Sequence, residues 1–392
     1  MEESTPEVKL AELKYLSLVG AEIAALSARL AMFIEKHNRI PGGNAGYIPA
    51  SQIEGWANLQ SVMVLALLPR AEPDFEATFA EGKLIGLVLA MIVPVISGDD
   101  TPTKPALAKE PCFDGKDRQA DGKRLRNLLK NGRALPMSYT TYNCVHTDFR
   151  KRGLGHDIIV KLKEAGLPLG IQYGYHIMPG KMYESPIKVQ QWMRPINPSR
   201  ARKLGFKIPD MAKILSISRS TKTKDRSNRR GLLKLKSCLS PVTYTLITDE
   251  EIKSSYEEYL VFSEGPKLVF RPSVKYWRRY IKAFETYRVL SKEEVVGIFS
   301  VLPMTMILNS TGKSLESLNM VLAVGNTKDV VSAAIKLCSE TKALVLYLNE
   351  VGCLDGKTLD SMYCLKTDHI YSLLTYNLHT DIKKTDVCLP LF

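Results

Sequence analysis

Residues 141–166 read TYNCVHTDFRKRGLGHDIIVKLKEAG. A strand-like run closes at Cys144, Val145 and His146, a basic turn with two glycines follows, and an amphipathic helix opens at once. Leu154, Ile158, Ile159 and Leu162 fall on one face of that helix. In such a β-to-α unit the first helical N–H groups and the positive end of the helix dipole point at the turn. Gly153 and Gly155 allow close backbone approach, and Arg150, Lys151 and Arg152 add positive charge, which suits a phosphate or diphosphate. A charged turn whose glycines serve geometry alone remains open on these residues. Neither GxxxxGK[ST] nor GxGxxG is present, which argues against the ordinary nucleotide and dinucleotide loops.

A chain of 392 residues suggests two domains rather than one core. With 45% hydrophobic and 24% charged residues it has the composition of a globular protein. A formal charge of +13 calls for acidic partners: nucleic acid, a phosphorylated cofactor or an anionic membrane surface. The seven cysteines (112, 144, 238, 338, 353, 364 and 388) are odd in number, scattered and free of CxxC pairs. They suggest neither a disulfide framework nor a zinc site, and a reducing, cytoplasmic location fits. The acidic start MEESTPE argues against a secretory signal, and the apolar run Leu84 to Ile96 is too short to span a bilayer.

Outward from the loop, residues 5–37 carry helical spacing and a second helix is expected near 56–68, so 1–68 reads as an N-terminal helical region. GKLIGLVLAMIVPVIS (82–97) reads as a buried strand pair or one long bent strand. Residues 98–136, rich in Asp, Lys, Pro and Gly, read as a long insertion within a first half spanning 69–216. A strand at 138–146, a helix at 153–165 and a strand at 168–178 follow. ISRSTKTKDRSNRRGLLKLK holds eight Lys or Arg against one Asp and suggests a basic linker, 217–237.

The second half, 238–392, repeats the scheme: a helix at 248–262, strand material at 285–308, a strand at 317–324, a helix at 327–340 and a strand at 343–349. EEVVGIFSVLPMTMIL echoes the earlier GKLIGLVLAMIVPVIS, a hint of internal duplication. Alternation of strands and helices in both halves makes the class α/β or α+β with a mixed, mostly antiparallel sheet. Neither basic stretch, 123–133 or 219–236, contains an aromatic residue, so no nucleic-acid partner is expected.

R-x-x-G-x-G after a strand ending in V-H resembles the acyl-CoA loop of the GNAT acyltransferases. QQWMRPINPSRARKLGF (190–206) resembles the Trp-x-Arg-x-x-Asn-Pro segment of eukaryotic N-myristoyltransferases, and Cys144-Val145-His146 matches that family's first signature. PSVKYWRRY, VVGIFSVLPMTMIL, NEVGCLDGKTLDSMYCLKTDHIYSLLTYNL and the closing VCLPLF keep the order of its C-terminal half.

The resemblance covers about residues 50–392. It implies two GNAT-like halves, myristoyl-CoA as co-substrate with no permanently bound cofactor and no metal, and transfer of the acyl group to N-terminal-glycine proteins or peptides. Membrane contact would be at most transient and at the surface. It implies that the backbone of Tyr142, Asn143, Cys144 and Val145 and the loop Arg150, Lys151, Arg152, Gly153, Leu154 and Gly155 hold the acyl-CoA. The amides of Tyr142 and Asn143 would form the oxyanion hole, and the carboxylate of Phe392 would be the base. Trp192 and Asp368 would lie by the peptide groove, although Trp192 is equally suited to core packing. The chain departs from the family at Asn143, where Phe-Leu is usual for the pair, and at Met193, where His is usual. A GNAT transferase using another acyl-CoA and amine, and an acyl-CoA binder without activity, are the alternatives.

Overall fold

The structure, a computed structural model, describes residues 13–38, 44–59, 61–69, 78–79, 82–97, 134–171, 173–179, 187–206, 208, 239–308, 312–376 and 382–391. Most of the expected insertion, the basic linker with both aromatic-free basic stretches, and Phe392 lie outside these residues.

The first half runs β1 (Lys14–Val19), α1 (Gly20–Ala25), α2 (Ser27–His37), β2 (Asn44–Tyr47), α3 (Ala50–Asn58), β3 (Ser61–Leu68), β4 (Thr78–Phe79), β5 (Gly82–Ser97), β6 (Leu135–Val145), α4 (Leu154–Gly166), β7 (Tyr173–Pro179), β8 (Ile187–Pro195) and α5 (Pro198–Lys203). The second runs β9 (Thr243–Leu246), α6 (Ile252–Phe262), β10 (Leu268–Phe270), α7 (Val274–Ala283), β11 (Glu285–Ser291), β12 (Glu294–Leu308), β13 (Ser314–Gly325), α8 (Thr327–Glu340), β14 (Val345–Asn349), α9 (Gly356–Ser361), β15 (Leu365–Tyr376) and β16 (Val387–Cys388).

The N-terminal region is less helical than its sequence suggests. KYLSLV forms β1, antiparallel to β3, and the helix expected near 56–68 ends at Asn58, after which SVMVLALL is β3. Periodicity fails at β3 because both faces are covered, so every position tolerates an apolar residue. Val62, Val64 and Ala66 pack with Ile158 and Leu162 of α4, while Met63, Leu65 and Leu67 join the larger core on the other face. GKLIGLVLAMIVPVIS is one long strand, β5. Burying Leu154, Ile158 and Leu162 under α4 contributes about 1.5–3 kcal/mol each.

The two halves repeat one topology. β1-β3-β5-β6 and β9-β11-β12-β13 are antiparallel runs; after each comes a helix and then a parallel strand, β7 beside β6 and β14 beside β13. The register is repeated as well. Thr141 bulges from β6 and Val321 from β13, where the partner strand advances one residue fewer. Four residues on, Val145 pairs with Gly86 and Gly325 with Gly297. Next, the His146 amide donates to Ile85 and the Asn326 amide to Val296. The weak sequence echo therefore marks equivalent glycines, Gly86 and Gly297. Each lies under a helix side chain: an added Cβ would stand 2.6 Å from Ile158 Cδ1 or from Val330 Cγ2.

The sheet does not divide where the sequence does. Its order is β1-β3-β5-β6-β7-β15-β8-β14-β13-β12-β11-β9, so β15 lies between β7 and β8 and joins the halves edge to edge. β10 pairs with β5, and β16 with β10, adding second-half strands to the first half.

Candidate functional site

β6 and β7 pair in parallel only from Met137↔Tyr173 to Thr140↔His176. The bulge at Thr141 turns β6 away, and the Thr141 hydroxyl donates to the Leu89 carbonyl (3.1 Å). From 141 to 145, β6 pairs with β5 on one edge and has no strand partner on the other among the described residues. That open edge, containing Tyr142 and Asn143, ends at the basic loop. Trp56 stacks on the Tyr142 ring (centroids 5.6 Å apart) and fixes this turn of the strand. Burial pushes up both the Tyr142 phenol and the Cys144 thiol, the latter to about 12, so Cys144 is an inert packing group rather than a nucleophile.

α4 starts at an N-cap glycine, Gly153, with φ +84° and no side-chain cap, which leaves its first-turn amides toward the loop. Lys151 also holds a left-handed backbone, φ +62°, and its side chain is exposed. Arg152 lies over the Phe149 ring at 5.5 Å. Arg150 differs from the expectation. Its guanidinium turns inward, donating from Nε to the Val145 carbonyl (3.2 Å) and from Nη2 to the His37 carbonyl, so it braces β6 against α2. Asn143 donates from Nδ2 to the Gly155 carbonyl (3.0 Å), and a Cβ on Gly155 would touch that side chain at 3.5 Å. The polar residue that departs from the resemblance thus ties the strand to the helix start.

Beneath α4, on the face that carries Asn143, lies a cavity of about 240 Å³. Ala90, Ile92, Ile159, Leu162 and Ile171 make its walls mostly apolar, with Ser138, Thr140 and Lys163 as polar members. Loop, open strand edge and cavity are consecutive features of one sheet face.

No family model matches the sequence, and no curated protein does. Solved structures do. A Saccharomyces cerevisiae N-myristoyltransferase with bound myristoyl-CoA superposes with a TM-score of 0.68 at 11% identity, covering 100% of this chain and 92% of that one. Another myristoyl-CoA complex of the yeast protein gives 0.66 at 10% identity, covering 100% and 86%. A third, with myristoyl-CoA and inhibitors, gives 0.66 at 12%, covering 100% and 89%. The chain has the N-myristoyltransferase fold.

Within the N-myristoyltransferase fold the other expected residues separate. Trp192, on β8, is 2% exposed and belongs to the second-half core, with its Nε1 donating to Glu350 Oε2 (3.0 Å). Its burial fits the packing role that the sequence left open beside the groove. Asp368 is exposed in a bulge where the β15–β8 register breaks between Lys366 and Ile370, and Gln190 Nε2 holds that bulge through the carbonyls of Thr367 (2.9 Å) and His369 (3.3 Å). The closing run is buried at Val387, Cys388, Leu389 and Leu391. Tyr175 of β7 donates its hydroxyl to the Pro390 carbonyl (3.4 Å). Among the described residues no cluster of three or more His, Cys, Asp or Glu could hold a metal, and no helix is long and apolar enough to cross a membrane.

Sequence reasoning missed a histidine pair behind the loop. The rings of His37 and His146 lie 4.0 Å apart, with Phe33 against one and Phe149 against the other. Their Nδ1 atoms accept from the Thr147 (3.5 Å) and Asp148 (3.3 Å) amides. Burial, then the neighbouring ring and cations, lowers His37 to about 4, and burial lowers His146. His176, at the last β6–β7 pair, is also lowered to about 4 by burial. Unfolded, each imidazole binds a proton near pH 6.5, so between pH 4 and 6.5 the unfolded state holds more protons at His37 and His176. The contribution of these groups is complete above pH 6.5 and lost as pH falls toward 4. Melting temperature is therefore expected to drop over that interval, and less so in His37→Gln; equal slopes in a calorimetric pH series would contradict this.

Proposed function

We propose that the chain is an acyl-CoA-dependent N-acyltransferase that moves a myristoyl group from myristoyl-CoA to the N-terminal glycine amine of proteins. The observation that carries this reading is the succession of anion loop, open strand edge and apolar cavity on one sheet face. A molecule that joins a diphosphate to a fatty chain through an extended linker needs those features in that order.

In this reading Lys151, Arg152 and the first-turn amides of Leu154 and Gly155 receive the pyrophosphate, with Gly153 supplying the turn. Arg150 acts indirectly by bracing the strand. The backbone at Tyr142 to Val145 lies along the pantetheine and thioester, and the cavity takes the chain. The glycine amine, with a pKa of about 8, gives a proton to a base before its nitrogen bonds to the thioester carbon. The Tyr142 and Asn143 amides stabilise the resulting oxyanion. The C–S bond then breaks and CoA leaves as the thiol, taking the proton that the acylated nitrogen must lose to become the amide. The base is assigned to the carboxylate of Phe392; what supports it is the resemblance together with the buried approach of Val387–Leu391 past Tyr175. In the same reading Asp368 receives a cationic group of the peptide; what supports it is the resemblance together with its exposure in the β15 bulge.

The test is mass spectrometry of a glycine-initiated peptide incubated with myristoyl-CoA and the protein. An added mass of one myristoyl group on the N-terminal amine is expected. Acylation of another amine, transfer from another acyl-CoA only, or tight acyl-CoA binding without transfer would each overturn the assignment. Arg152→Glu should weaken acyl-CoA binding at least about tenfold, because a phosphate contact becomes a like-charge repulsion worth about 1.4 kcal/mol or more. Calorimetric titration measures it, and unchanged affinity removes the loop from the site. Residues added after Phe392 should abolish transfer while leaving acyl-CoA affinity intact.

A further inference from the structure

Residues 146–153, which carry the anion loop, are held by little of their own. His146 is the only one of them that is buried, at 5% exposure. Thr147, Asp148, Lys151 and Gly153 are exposed. Within the segment the backbone makes one short turn, with the Phe149 amide on the His146 carbonyl (3.0 Å) and the Arg150 amide on the Thr147 carbonyl (3.4 Å). Lys151, a non-glycine residue, holds a left-handed backbone that persists only where its surroundings enforce it.

The enforcement comes from α2, through its last residue. The His37 ring is 4% exposed and lies 4.0 Å from the His146 ring, centroid to centroid, and Phe33, one turn earlier on α2, packs on it at 4.7 Å. The His37 carbonyl accepts from Arg150, and its Nδ1 faces the Thr147 amide at 3.5 Å. His146 passes the contact on. Its Nδ1 accepts from the Asp148 amide (3.3 Å), Phe149 packs edge-on against its ring (5.5 Å), and the Arg152 guanidinium lies over Phe149 (5.5 Å). One residue outside the loop thus touches the loop's buried histidine, the next amide and the first arginine, and it reaches a second arginine through two rings.

We propose that His37 is a positioning residue for the donor site: from the N-terminal region it holds the anion loop in the shape that grips a diphosphate, acting through the His146 ring. The grip rests on the acyl-CoA reading of the loop, whereas the ordering of the loop by His37 does not. A loop ordered in advance spares its ligand that ordering, and each loop residue that must be ordered anew on binding costs about tenfold in affinity. The contact therefore acts on the diphosphate end of the donor and leaves the acyl chain and the transfer step untouched.

Calorimetric titration of the full chain with CoA, and with S-myristoyl-pantetheine, which lacks the diphosphate, separates a loop effect from a general one. His37→Ala should weaken CoA binding about tenfold and leave myristoyl-pantetheine binding unchanged. His37→Phe, which restores a ring against His146, should recover most of the loss. His146→Asn keeps an acceptor for the Asp148 amide but removes the same ring contact from the loop side. It should match His37→Ala, and the double variant should lose no more than either. In turnover with myristoyl-CoA, KM should rise about tenfold at constant kcat. Hydrogen exchange needs no ligand: in His37→Ala the amides of residues 147–152 should exchange about tenfold faster, with those of β5 and β6 at their former rates. Equal losses for the two ligands, additive losses in the double variant, a fall in kcat at constant KM, or exchange that is unchanged at 147–152 or faster throughout β5 and β6 would each overturn the proposal. If the unaltered chain binds neither ligand, the acyl-CoA reading falls, and hydrogen exchange alone decides whether His37 orders the loop. Should His37→Ala not fold, His146→Asn carries the same comparison.

Discussion

Trp192→Ala is expected to lower unfolding stability by about 3–5 kcal/mol, the range for emptying a buried aromatic site. Trp192 is sealed among Leu318, Met320, Leu346 and Leu348, and the Lys366 ammonium covers its ring at 5.3 Å. The loss exceeds packing alone. Glu350 Oε2 would be left without the indole N–H in a site where the carboxylate is 12% exposed, and an orphaned buried acceptor costs about 1–3 kcal/mol. Trp192→Phe keeps much of the volume and should show mainly that second cost. Urea unfolding of the three proteins separates the contributions. A side chain that only touched substrate would leave the midpoint unchanged and alter peptide affinity instead.

Gly325→Ala should cost a similar amount for a different reason. Gly325 has φ +100°, where L residues are strained by about 1–3 kcal/mol. A Cβ there would also come within 2.6 Å of Gly297 Cα, a contact with backbone that no rotamer relieves. Overpacking adds about 1–3 kcal/mol. Gly86→Ala is the control from the first half, since its Cβ meets only the terminal methyl of Ile158, which can shift where backbone cannot, and about 1 kcal/mol is expected. Equal losses in the two variants would show that the Gly297–Gly325 crossing is looser than its geometry indicates.

The elements that the sequence disclosed were those whose signals are local. The helix 327–340 is bounded by an Asn cap and a full apolar face, and it forms over Thr327–Glu340. The RKRGLG turn likewise declared a strand, a loop and α4 in direct contact along the chain. β1 and β3 escape the sequence because short apolar runs fit both periods, and only pairing with distant strands settles them. At the site, Arg150 has the same sequence signature as its basic neighbours, yet the carbonyls of Val145 and His37 draw it inward. No sequence pattern joins His37 to His146, or Leu391 to Val321, because those meetings depend on how separate elements stack.

The position of β15 between β7 and β8 bears on the order in which the protein is made. A ribosome delivers β7 and β8 long before residues 365–376, and until these arrive β7 has no antiparallel partner and β8 lacks both its neighbours. The nascent first half therefore waits with three unfilled edges, one on β7 and both on β8, a state that invites chaperone binding or misplaced pairing. Only when the late strand slides between them does the wall beside the cavity become rigid. Closure of the sheet beside the cavity thus waits for one of the last strands delivered, and a chain cut before residue 365 lacks the strand that joins β7 to β8.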